Sequence, residues 1–93
     1  MEIPTAFRLG RRRFTVHMMS AARPERAAQG YLYTALGMLK LRKQPPKKQA
    51  HTFWHEVVHA ILHDMGDARW ADEAFVDGVA KRINQVVHTA EFK

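Results

Sequence analysis

Cysteine is absent from the 93-residue chain. That excludes a disulfide framework and every thiolate metal site, so a transition metal here has to be held by histidine and carboxylate. Glycine and proline are sparse, at five and four, which excludes collagen-like and low-complexity chains. No apolar run approaches a membrane span. Residues 1–14, MEIPTAFRLGRRRF, hold no apolar stretch of the kind that leads a secreted protein, and a soluble, cytoplasmic protein with no membrane partner is expected. Acids are also few. Nine of them stand against fifteen Lys and Arg, a formal charge of +6, and a chain this basic attracts anions such as nucleic acid, anionic lipid or acidic protein.

What is present is an ordinary globular composition, 46% hydrophobic and 26% charged. The length suits one domain over residues 1–93 with a small core, to which a bound metal can add folding free energy. The first half alternates with the period of strands. Phe7 and Leu9 flank Arg8, and beyond Gly10 the alternation resumes in Phe14, Val16 and Met18, which predicts a hairpin. A polar interval with Pro24 reads as a loop or short helical turn. Tyr31-Leu32-Tyr33 and Met38-Leu39-Lys40-Leu41 then read as two short strands around Gly37.

The second half has the period of helices. Pro46 suits the first turn of a helix. Phe53, Trp54, Val57, Val58, Ile61, Leu62 and Met65 follow at three-and-four spacing over residues 47–65. Gly66 is a stop, and a second amphipathic helix is predicted over 72–89. The fold class expected is α+β: a small antiparallel sheet of three or four strands, then an active-site helix and a second, ligand-bearing helix.

The informative segment is His55-Glu56-Val57-Val58-His59. Residues four apart project from one side of a helix, so both imidazoles can face one ion. Glu56, about 100° round the helix, lies beside that ion, where it can take a proton from a water whose pKa the metal lowers. Val57 and Val58 can bury against a sheet. The site then needs a third protein ligand and one open position. A metzincin arrangement is absent, because its later positions hold Leu62 and Met65. His63 lies a full turn beyond His59 and swings away from the pair. Glu73 and Asp77, four apart on the next helix, share a face. One of them can reach the metal while the other hydrogen-bonds a ligating histidine.

His55-Glu56-Val57-Val58-His59 followed by Glu73-Ala74-Phe75-Val76-Asp77 resembles the gluzincin pattern of thermolysin-type metallopeptidases. The chain is similar over nearly its whole length to minimal gluzincins, including the small phage and prophage metallopeptidase-like proteins related to the ImmA/IrrE group. The resemblance implies zinc held by His55, His59 and Glu73, with Glu56 as general base and Asp77 orienting a histidine, His55 for preference. It implies a zinc peptidase acting on a protein or peptide substrate. Two departures stand out: the spacer from His59 to Glu73 is shorter than in thermolysin, and no residue matches the family's transition-state hydrogen-bond donor.

Two alternatives stay open. One is a metal-stabilised, non-catalytic binding module of the phage-factor type. The other is a basic nucleic-acid-associated domain, for which Arg11, Arg12, Arg13, Lys40, Arg42, Lys43, Lys47 and Lys48 supply charge and Tyr31 and Tyr33 supply rings to stack on bases. SprT-like proteases, which share the H-E-x-x-H motif, combine peptidase and DNA association. Met38–Leu41 is the candidate edge strand for an extended substrate. His51 reads as a rim, capping or exposed residue, and His88 lies far down its helix from Glu73.

Overall fold

Leu39 and Leu41 explain where each strand sits. The structure, a computed structural model, describes residues 1–19 and 29–92. Its four strands are β1 (Ala6–Leu9), β2 (Arg12–Met19), β3 (Gly30–Tyr33) and β4 (Met38–Arg42), in the sheet order β1-β2-β4-β3. The hairpin predicted around Gly10 forms, with Phe7 opposite Phe14 and Leu9 opposite Arg12. Gly10 adopts φ +59°, a left-handed conformation open to glycine. The α+β class holds, but the sheet is mixed: β1–β2 and β3–β4 are antiparallel, while β2–β4 is parallel.

The expectation of an antiparallel sheet therefore fails at the β2–β4 pair. Instead, β4 takes an interior position between β2 and β3. Its Leu39 and Leu41 have no exposed surface, and an interior strand can bury both while bonding along both edges. Met38–Leu41 is therefore not the edge strand. That edge is β3. The loop or turn predicted around Pro24 lies outside the described residues.

The inward row Phe7, Leu9, Phe14, Val16, Leu32, Leu39 and Leu41 meets Phe53, Val57 and Ala60 of α1 (Pro46–Asp64). Phe7 stacks on Phe14 across the hairpin at 5.3 Å and meets Phe53 edge-on at 6.1 Å. Burying one such side chain contributes about 1.5–3 kcal/mol. The valines of the motif divide. Val57 goes to the sheet, as expected. Val58, with Leu62, packs on Val76 and Ala80 of the second helix, α2 (Glu73–Thr89).

Pro46 opens α1, and Met65, Gly66 and Asp67 close it. Gly66 sits at φ +69°, its N–H bonds the His63 carbonyl at 3.1 Å, and the Asp67 N–H bonds Leu62 at 2.9 Å. That pair of bonds is a Schellman stop. One turn of 3-10 helix, Ala68–Ala71, fills the short link, and Asp72 then caps α2 by accepting from the Phe75 N–H at 3.0 Å. This tight corner folds α2 back along α1. No described helix is long and apolar enough to cross a membrane.

Candidate metal centre

The corner brings three predicted ligands together. His55 Nε2 and His59 Nε2, one helical turn apart, lie 3.2 Å from each other. Glu73, the first residue of α2, reaches both, with Oε2 2.9 Å from His55 Nε2 and Oε1 3.1 Å from His59 Nε2. One ligand atom from each of the three residues lies within 4.8 Å of the others, close enough for one ion to be shared among them, since ligands at 2.0–2.1 Å in tetrahedral array stand roughly 3.3 Å apart.

The far side of each ring fixes its chemistry. His59 Nδ1 contacts the Trp70 carbonyl oxygen and His55 Nδ1 contacts Asp77 Oδ1 at 3.2 Å. A carbonyl and a carboxylate only accept, so each Nδ1 carries the N–H, and in the neutral rings both Nε2 atoms present lone pairs. Two imidazole Nε2 atoms and a carboxylate thus face one another, a group that could hold a metal ion. Asp77 thus meets the His55 ring on the nitrogen that faces away from Glu73.

Glu56 is only 9% exposed and lies against the edge strand. A Cβ on Gly30 would come 3.0 Å from its Cγ and 3.1 Å from Oε2. The missing side chain is what lets β3 run this close to the carboxylate. Burial pushes the Glu56 pKa up and the Glu73 charge adds to it, against opposition from His55 and His59. Glu73 is 71% exposed at its side chain, so the triangle opens on solvent. It faces a cleft of about 740 Å³ that β3 borders through Gly30 and Tyr31.

His51 is the residue that sequence reasoning undervalued. It is half-buried in the lining of the cleft, where the rim reading put it and not the capping or exposed one, and its Nε2 bonds Asp77 Oδ1 at 2.8 Å, so His51, Asp77 and His55 form a chain. The signal was present, since His51 precedes His55 by the same four residues that separate His55 from His59. His51, His55 and Asp77 also lie close enough to share an ion, but their facing atoms already bond one another through Asp77 Oδ1. Burial pushes the Asp77 carboxyl up, yet hydrogen bonds from His51, His55 and Lys81 outweigh it and hold the pKa at about 2. His63 points away, its ring 5.2 Å from that of Trp70. His88 lies at the far end of α2, 3.5 Å from the N-terminal amine. No described residue outside this cluster joins it as a candidate ligand. No family model, curated protein or solved structure was found to match this chain.

Proposed function

We propose that the protein is a zinc-dependent peptidase in which His55, His59 and Glu73 hold the metal and Glu56 is the general base. The observation that carries this reading is the convergence of two imidazole lone pairs and a carboxylate beside a buried glutamate. An ion there supplies Lewis acidity toward a water and toward the substrate carbonyl. Imidazole and carboxylate suit zinc, and they also accept other divalent ions.

The chain's own residues do the rest. Glu56, walled from bulk solvent by β3, takes a proton from the attacking water as its oxygen bonds the carbonyl carbon. It returns that proton to the amine nitrogen as the C–N bond breaks, leaving a carboxylic acid and a free amine. Asp77 and the Trp70 carbonyl hold the two rings in the productive tautomer. The edge of β3, beside Glu56, offers backbone groups to which an extended substrate can add as a fifth strand. A cytoplasmic location belongs to the same proposal, and fractionation of expressing cells tests it.

The test is Glu56→Gln. The variant is expected to bind zinc as wild type does while cleavage of a denatured protein substrate falls by about 10²–10⁴. Wild-type cleavage unaffected by Glu56→Gln would refute the peptidase reading. So would zinc-loaded wild type that binds peptides but cuts none, the behaviour of a metal-stabilised binding module.

A further inference from the structure

The sheet has a second face, and the peptidase reading does not use it. Strand alternation turns Arg8, Arg13, Thr15, His17, Met38, Lys40, Tyr31 and Tyr33 away from the row that packs on α1. Among the described strand residues no acid occupies that face. Arg8 stands directly opposite Arg13, and His17 is in register with Lys40. Like charges opposite one another oppose pairing, so the fold accepts a local cost to keep both guanidinium groups there. Arg8, Arg13 and His17 are exposed. The helical layer, by contrast, pairs its charges closely, as in His51–Asp77 at 2.8 Å and Arg69–Asp67 at 2.7 Å.

The aromatic residues stand at the other side of the same face. Tyr31 and Tyr33 stack at 6.3 Å with planes 27° apart, Tyr33 is 40% exposed, and Lys40 Nζ lies 5.6 Å from the centre of the Tyr33 ring. Rings lying beside a row of cations, with no acid between them among the described strand residues, match a polyanion whose bases are free to stack. A duplex keeps its bases stacked on one another and offers such a ring little. An acidic peptide offers charge but no bases.

We infer that this face of the sheet binds single-stranded nucleic acid, with phosphates on Arg8, Arg13 and Lys40 and a base on Tyr33. The site is on the opposite side of the sheet from α1 and is independent of the metal. Single-stranded DNA and RNA share the chemistry, phosphates and base faces, that these side chains read.

Fluorescence anisotropy at 50 mM salt tests it, with labelled dT20 and rU20 as probes and an unlabelled duplex and poly-glutamate as competitors. Wild type is expected to bind a single strand, and the tighter of the two probes names the source. Tyr33→Ala is expected to weaken binding about 5- to 150-fold. Arg8→Gln with Arg13→Gln is expected to lower the log–log salt slope by roughly 1.4, about 0.7 for each phosphate no longer neutralised. All three positions are exposed, and a helical circular-dichroism signal equal to wild type confirms folding. Chelator and Glu56→Gln are expected to leave binding unchanged, which separates this inference from the peptidase reading. No binding by wild type, equal binding by Tyr33→Ala, or competition by duplex or poly-glutamate as effective as by single strand would overturn it.

Discussion

The sheet layer and the helical layer divide the charge of this chain unequally. Residues 1–45 hold nine of its fifteen Lys and Arg but only two of its nine acids; residues 46–93 hold six cations and seven acids, with five of the six histidines. A net charge of +6 thus describes neither layer. In the helical layer the charges are close and matched, and imidazoles and carboxylates meet at 2.8–3.2 Å. In the sheet layer cations face other cations across the β1–β2 ladder. Short-range pairing orders a compact site for a small cation, whereas an excess of charge of one sign acts at range on a large anion.

The helical layer is where interference should cost most. Zinc at 100 times its Kd is expected to stabilise the fold by about 2.7 kcal/mol. For a chain of this size that raises the melting temperature by roughly 10–20 °C, and His59→Ala should abolish the rise. Calorimetry with and without chelator measures both. The sheet layer, carrying no ligand, should not respond this way: Arg13→Gln is expected to leave the zinc-induced rise intact.

Asp77→Asn keeps the shape of the side chain but weakens its hold on the His55 N–H. A zinc affinity about 10- to 100-fold lower is expected by competition with a chromogenic chelator. His51→Ala acts one bond further out and should cost less than Asp77→Asn; a larger loss would move His51 into the ligand set. Gly30→Ala places a methyl against Glu56. It should reduce cleavage while metal content stays near one per chain, which separates damage to the base from damage to the ligands.

The smallest effect concerns pH. A carboxyl whose folded pKa is raised is destabilising when ionised, so for Glu56 the stability is fully present below its unfolded pKa and is lost as pH rises through the higher folded value. In chelator-treated protein, Glu56→Gln is therefore expected to melt higher than wild type at pH 7, with the gap closing in acid. Thermal melts across pH measure it, and a gap that widens in acid would contradict the burial of Glu56 as its cause.

Much of this was legible because period and spacing are local. The three-and-four pattern from Phe53 to Met65 and the stop at Gly66 marked α1 nearly to its ends. The four-residue interval that aligns His55 with His59 also aligns Glu73 with Asp77. The place of β4 was not legible, since which strand becomes interior depends on burial summed over the sheet and not on order along the chain. The hold of Trp70 on His59 was hidden for another reason: it runs through a backbone carbonyl, which any residue supplies. Gly30 carried a signal only in relation to Glu56, twenty-six positions away.

Elemental analysis of untagged protein, wild type beside Glu73→Ala after the same exposure to zinc and removal of excess, tests the central claim most directly. The geometry predicts close to one zinc per wild-type chain and a large loss in the variant. Wild type that retains no metal, or a Glu73→Ala variant that retains as much as wild type, would contradict the centre described above.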